Sequence, residues 1–516
     1  MRTRRFLVAL VCLAGVAALA VGVVAARQRR AVHAHVRGKV GPTATVFPAS
    51  VRVLSCHLRE RRFQTLAELR PTGFCVARRQ GAPLAPEDIL VTPRPDPKKN
   101  PGQQFGLMIL SPAGKLLWYE RRPDKVHDLK VVDYRGQPAL AFFQKAPRGR
   151  GYYELLDRHY RPLARVRAGH GLSTNLHELQ LTPQGTAYLS ADVTVRVRGA
   201  GKVTEYVVEE VDVVSGRVLF DWRSLKHAGV RDSYEERPKS GAWDYFHGNS
   251  IDPPTPGDPT VLISSRNTSS VYGVDRATGR TEWILGGKRD QFHLAKDHPS
   301  WVFCGQHDVH RLPDGDIELL DNGGTFMHGE PHCPVHPARA LVFRIDARNH
   351  RVRLVKSISS KPLTSSGKGF FSGWVGSARP ESNGDTLIDW GGPTNRVTEV
   401  AADGREKLLL RLAFWSYRGI PASWTGLPGG RPAVVARRGR GDSVDVYASW
   451  NGATQIMRWQ LLAGKRPDSL APVGTPVPFA DLETRIALRT GARYVAVRAL
   501  DAAGTELGTS AAARVR

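Results

Sequence analysis

Between about residue 100 and residue 412 one pattern of apolar and polar positions recurs. A short apolar run is followed by a turn carrying Gly or Asp, then by a second apolar run often closed by an aromatic. It stands at Leu107-Met-Ile-Leu-Ser-Pro-Ala-Gly-Lys-Leu-Leu-Trp118, at Tyr153–Leu163 and at Val211–Trp222. It returns at Val274–Trp283, at Val342–Val352 and at Val397–Arg405, which makes six copies. Short apolar runs punctuated this way predict strands joined by hairpin turns, and no segment holds a long helical period. Between the copies lie further hairpins, among them Ser377-Ala-Arg-Pro-Glu-Ser-Asn-Gly-Asp-Thr-Leu-Ile-Asp-Trp-Gly391. Two hairpins per repeat make a four-stranded blade, and six repeats predict a six-bladed β-propeller over residues 85–430.

After Gly429-Gly430 the texture changes. Arg431–Arg437, Val444–Trp450, Ile456–Leu462 and Tyr494–Leu500 alternate at the spacing of a fibronectin- or Ig-like β-sandwich, expected over residues 431–516. Residues 36–84 are expected to hold a small β lead-in. The fold class is therefore all-β: propeller, then sandwich.

The N-terminus changes the picture of location. A basic head, Met1-Arg-Thr-Arg-Arg5, precedes 21 uncharged residues, Phe6–Ala26, closed by Arg27-Gln-Arg-Arg30. Residues 1–35 thus form a signal or anchor segment. The apolar stretch is long for a signal core and long enough to span a bilayer, so the favoured reading is a membrane anchor at residues 6–26. Cleaved or not, it places the remainder outside the cytoplasm. Four cysteines follow it: Cys56, Cys75, Cys304 and Cys333. An even number in an exported region predicts two disulfides, by proximity Cys56–Cys75 and Cys304–Cys333, although other pairings are open.

The net charge is +26. Scattered cations make a solvated surface that attracts anions. Nucleic-acid binding is not expected, because there is neither zinc-finger spacing nor an RNP-like aromatic motif.

Candidate chemistry lies in the hairpins between the six copies. His307 opens Gln306-His-Asp-Val-His-Arg-Leu-Pro-Asp-Gly315, and His177 opens His177-Glu-Leu-Gln-Leu-Thr-Pro-Gln-Gly185. In both units the glycine stands eight residues after the histidine. A third histidine opens His247-Gly-Asn-Ser-Ile-Asp252 before the strand Thr260–Arg266. A radially repeated fold aims such equivalent side chains at one central point. Three histidines could hold zinc or copper, but a fixed arginine beside them disfavours a metal. No metal or other cofactor is expected. Asp308 follows His307 and, by strand alternation, is expected to serve structure.

These motifs together resemble the bacterial aryl-sulfate sulfotransferase (arylsulfotransferase, ASST-like) family. The carriers are Leu176–Ala187, Phe246-His-Gly-Asn-Ser-Ile251, Ile263-Ser-Ser-Arg-Asn267, Trp283-Ile-Leu-Gly-Gly287 and Gln306-His-Asp-Val309, with Ser449–Ala453 and Val497–Gly504 in the tail. The resemblance implies a PAPS-independent arylsulfotransferase that moves a sulfuryl group from a phenolic sulfate ester to a phenol through a sulfohistidine. It implies His307 as nucleophile, with His247, Arg266 and His177 around it and Asn249 as substrate-binding residue. The expected partners are a small aryl sulfate donor, a phenolic acceptor and the membrane. Imidazole is neutral at working pH, and fixed cations stabilise the charged equatorial oxygens of the transferring group, so the chemistry stands by itself. The second class of reading is a non-catalytic, anchored propeller that binds an anionic ligand in the envelope.

Overall fold

A computed structural model describes residues 51–95, 102–147, 151–294, 303–324, 336–360 and 369–516. Residues 49–516 form one compact unit. The apolar stretch expected to anchor the chain, residues 6–26, lies outside the described residues. Among the described residues no helix is long and apolar enough to cross a membrane.

The fold is all-β, built of small antiparallel sheets. Six sheets carry the middle of the chain, and we number the strand that leads each one. The first sheet is led by the latest strand, so its label comes last. β1 (Val126–Tyr134) leads sheet 2, β2 (Thr174–Leu181) sheet 3 and β3 (Gly248–Asp252) sheet 4. β4 (His307–Arg311) leads sheet 5, β5 (Ser377–Pro380) sheet 6 and β6 (Gly419–Ala422) sheet 1. β6 pairs with Asp88–Val91, so sheet 1 joins an early stretch of the chain to a late one. All six copies of the recurring pattern fall on the second hairpin of a sheet. Each carries a register slip, next to the turn in five of the six, such as Ile109/Leu110, Gly273/Val274 and Glu399/Val400, and at Val342/Phe343 in mid-strand in the other.

Each sheet packs on the next through apolar side chains. Phe143, Tyr153 and Leu189 join sheets 2 and 3, and Trp222, Phe246 and Tyr272 join sheets 3 and 4. Trp283, Val309 and Leu341 join sheets 4 and 5, and Leu320, Ile388 and Trp390 join sheets 5 and 6. Met108, Leu110, Val397 and Leu410 join sheet 6 to sheet 1, and Leu90, Leu107, Leu140 and Phe142 join sheet 1 to sheet 2. Burying each such large side chain contributes about 1.5–3 kcal/mol. The lead strands also follow one another in contact, β1 with β2, β2 with β3, β3 with β4, β4 with β5, β5 with β6 and β6 with β1.

Within the stretch expected as a lead-in, Val51–His57 and Phe74–Arg79 extend sheet 6 at its outer edge, and the Cys56–Cys75 disulfide crosses between them, while residues 36–50 lie outside the described residues. Cys304 is also disulfide-bonded, while its expected partner Cys333 lies outside the described residues. The tail forms two sheets of its own, one from Ala433–Arg438, Ser443–Ser449 and Glu483–Arg489. The other holds Ser469–Pro478, Arg458–Arg466, Tyr494–Leu500 and Glu506–Thr509. Their inward residues Val446, Trp459 and Val497 share one apolar cluster with Leu107, Trp118 and Phe142 of sheets 1 and 2.

Candidate active site

His177, His247, Asn249 and His307 stand at or near the start of the lead strands, and Arg266 follows the second strand of sheet 4, Thr260–Ser265. The ladder slips in the lead strands between His127/Lys130, Thr174/Leu179, Gly248/Ser250 and His307/His310. Asp128, His247, Asp308 and Val375 have φ of 58°, 51°, 59° and 55°. A bulge of this kind bends the strand and breaks strict alternation, so a histidine and its neighbour can both turn inward at different depths. Asp308 shows the consequence. It is fully buried, but it faces an ion network and not the outside of a regular strand.

The structure brings His177, His247, Arg266, His307 and Asn249 together. The rings of His177 and His247 meet edge to face at 5.0 Å between centroids. Arg266 donates its backbone N–H to the His247 carbonyl at 3.0 Å, and Asn249 Nδ2 donates to the Gln306 carbonyl at 2.7 Å. His307 lies close enough to Arg266 and His247 for their charges to act on it.

His307 is 2% exposed, and its ring is fixed from both ends. Asn322 Nδ2 donates to Ser372 Oγ at 2.8 Å and to the Val375 carbonyl at 2.9 Å, which turns its Oδ1 toward His307 Nδ1 at 2.8 Å. An amide oxygen only accepts, so Nδ1 carries the proton and Nε2 the lone pair. That lone pair accepts the Val375 N–H at 3.2 Å. Burial, with Arg266 next, pushes the His307 pKa down to about 3, so the ring is neutral at ordinary pH. Burial followed by His247 lowers His177 well below the usual histidine range.

Arg266 is 3% exposed and its Nη2 donates to the Gly373 carbonyl at 3.1 Å. Gly373 and Val375 belong to the stretch entering β5, where the sequence offers no histidine; the backbone takes the position instead. Val375 is a β-branched residue at positive φ, an uncommon and strained conformation that aims its N–H at His307. His247 Nδ1 meets Asp244 Oδ2 at 2.5 Å. Burial works against the ionised Asp244, but His247 and Arg266 hold its carboxyl below the usual range.

Below the histidines lies an ionic layer. Arg418, with no exposed side-chain surface, meets Asp128 at 2.7 Å, Glu178 at 2.8 Å and Asp308 at 3.0 Å. Lys130 adds contacts to Asp128 and Glu178, and Arg379 binds Asp308. Three cations thus face three carboxylates. Burial opposes charge on Asp308, yet Arg379 and Arg418 outweigh it and lower its pKa.

Sequence reasoning missed several members of this centre. His127 on β1 occupies the position equivalent to His177 and His307, and burial followed by Arg94 pushes its pKa down to about 3. Its ring lies 6.1 Å from Tyr417 and 6.2 Å from Trp415, over which Arg94 sits at 4.7 Å. The signal was present: Val126-His-Asp-Leu129 repeats Leu176-His-Glu-Leu179 and Gln306-His-Asp-Val309. Asn322, Asp244, Tyr417 and Arg418 carried no such mark.

A family model described as arylsulfotransferase (ASST) matches residues 131–412, more than half of the chain. The chain belongs to the arylsulfotransferase family. That stretch contains His177, His247, Asn249, Arg266 and His307, and membership marks the chain as a transferase acting on aryl sulfates and phenols. No curated protein matches. Among solved structures, the chain is similar to Kuenenia stuttgartiensis hydrazine synthase, at 12% identity and a TM-score of 0.33, over 58% of this chain and 71% of that one. It is also similar to dihydro-heme d1 dehydrogenase NirN in complex with DHE, at 13% identity and a TM-score of 0.29, over 83% and 79% of the two chains. Polysaccharide lyase Uly1 gives 9% identity and a TM-score of 0.29, over 78% and 88%. Likeness at this level fixes neither fold nor activity.

Proposed function

We propose that the protein transfers a sulfuryl group from an aryl sulfate to a phenol through a sulfated His307, in a pocket at the centre of a six-bladed propeller. The observation that carries this reading is the state of His307. It is buried and neutral, its Nδ1–H is tied to Asn322, and its Nε2 lone pair stands in the field of Arg266. Nucleophilic catalysis needs that combination.

In the first half-reaction the Nε2 lone pair forms a bond to sulfur. The sulfur–aryl-oxygen bond breaks, its electron pair leaves on the phenolate, and His247 supplies the phenolate's proton. The Val375 N–H, which caps Nε2 at rest, gives up that hydrogen bond as the nitrogen–sulfur bond forms, and Arg266 and Asn249 face the equatorial oxygens, whose charge fixed donors stabilise. In the second half-reaction the acceptor phenol returns a proton to His247 as its oxygen attacks sulfur. The nitrogen–sulfur bond breaks and its pair returns to Nε2. Asp244 orients His247, and His177 lines the pocket. Trp415, Tyr417 and His127 form the wall against which the aryl ring packs.

The six sheets read as blades because each packs on the next and sheet 6 packs on sheet 1, where β6 pairs with Asp88–Val91. Residues 85–430 make the propeller and residues 431–516 a sandwich. Residues 6–26 anchor the chain, with the enzyme outside the cytoplasm, where the Cys56–Cys75 disulfide persists.

The test is incubation with a chromogenic aryl sulfate, with and without a phenol. Wild type should give ping-pong kinetics and a sulfated His307 in quenched digests. His307→Ala should lose transfer while keeping its circular-dichroism spectrum and melting temperature. Full transfer by His307→Ala would refute the mechanism, and sulfate binding without any transfer by wild type would favour an anion-binding protein.

A further inference from the structure

The hairpin Glu381-Ser-Asn-Gly-Asp385 closes β5 at the end away from Val375. It carries a set of side chains that the transfer chemistry does not use. Glu381, Asp385 and Glu399 are 7%, 5% and 2% exposed, and each places a carboxylate oxygen within 4.8 Å of the other two. Glu381 Oε2 is buried and accepts no hydrogen bond. Glu87 reaches the same hairpin, accepting the Ser382 N–H on Oε1 at 3.0 Å, while its Oε2 is likewise buried without a partner. Among the described residues Lys407 answers these carboxylates, through Asp385.

The equivalent hairpin of sheet 5 is balanced differently. There Asp316 takes Arg344 through two contacts, at 2.7 and 2.9 Å. In sheet 6 three buried carboxyl groups share the contact of Lys407 with Asp385.

We propose that Glu381, Asp385 and Glu399, with Glu87 beside them, bind a divalent cation, and that this cation is Ca2+. The donors are all oxygens, which suit a hard cation and not zinc or copper. Ca2+ takes the larger number of oxygen ligands in a flexible geometry, which four carboxylates from separate points of the chain can supply, whereas Mg2+ demands a near-ideal octahedron and keeps several waters. Glu399 Oε1 also accepts the Ala85 N–H at 2.9 Å, so the ion would clip sheet 6 to the segment that enters sheet 1. Bound there, Ca2+ steadies the junction between the first and last sheets.

The experiment uses the full chain, stripped with chelator and titrated with CaCl2 by calorimetry and by thermal unfolding. We expect saturable binding of one ion and a rise in melting temperature, with Mg2+ weaker by roughly tenfold or more. Glu381→Gln should weaken Ca2+ binding by a similar factor. Lys407→Met removes the competing ammonium and should tighten it. The absence of heat and of any thermal shift at millimolar Ca2+ in wild type would overturn the proposal. So would equal Ca2+ binding by Glu381→Gln, or an unchanged affinity in Lys407→Met. None of these readings depends on sulfuryl transfer, so they stand apart from the assignment of the histidine pocket.

Discussion

At the scale of single residues, the tautomer of His307 decides whether its lone pair can reach sulfur. Asn322 holds that tautomer from Nδ1, because its own amide is turned by Ser372 and the Val375 carbonyl. Asn322→Ala should therefore lower kcat with little change in KM, by roughly 10- to 100-fold, the usual cost of losing a partner that orients a functional histidine. A loss confined to KM would show that Asn322 serves binding and not orientation. Burial of neutral histidines also links folding to pH. His127 and His307 have folded pKa values of about 3, below the ordinary 6.5, so between these values the unfolded chain binds more protons. The stability they permit is fully present above about pH 6.5 and is lost as pH falls toward 3. Urea midpoints should drop steadily below pH 6.5, and His127→Gln should flatten that slope. An unchanged slope in His127→Gln would mean that His127 does not contribute.

At the scale of elements, the lead strands do more than present histidines. Their bulges send Asp128, Glu178 and Asp308 into the ionic layer around Arg418, which joins the residue preceding β6 to β1, β2 and β4. Removing one member of a buried ion network leaves its partners uncompensated, and that costs about 3–5 kcal/mol. Arg418→Met should lower the free energy of unfolding in urea by about that amount; a change under about 1 kcal/mol would mean that water or Lys130 takes over. Much of the element pattern was legible beforehand. The six recurring hairpins carry turn residues between apolar runs, and the His177 and His307 units share their spacing to glycine. His127 escaped because its glycine, Gly136, stands nine residues on instead of eight. The ionic layer was not legible, since Lys130, Arg379 and Arg418 come from distant strands and meet only when the sheets pack. Nor was Val375, whose contribution is a backbone N–H placed by an unusual φ. Strand alternation favoured a structural role for Asp308, but the bulge at His307 supplies the physical reason, by turning Asp308 toward Arg379 and Arg418.

At the scale of the whole molecule, the tail is bound to the sheets before it. Its strands make two sheets of their own, yet Val446, Trp459 and Val497 pack in one cluster with Leu107, Trp118 and Phe142. Polar contacts lock the same seam. Asn451 exchanges hydrogen bonds with the Tyr119 backbone at 3.0 and 2.8 Å, and Tyr160 donates its hydroxyl to the Gly452 carbonyl at 2.8 Å. On the lead-in side, Arg61 pairs with Asp481 at 2.6 Å, and Glu483 accepts the backbone N–H groups of Gln64 and Thr65. Uncovering even a few of these large side chains, at about 1.5–3 kcal/mol each, would consume much of the roughly 5–15 kcal/mol by which a typical domain is stable. The tail and the six sheets should therefore unfold together. Scanning calorimetry of the chain should show one transition, and a chain ending at residue 430 should be insoluble or bind a hydrophobic dye strongly. Two separate transitions, or a soluble 430-residue chain with native melting behaviour, would show that the tail is an independent domain resting on a surface that does not need it.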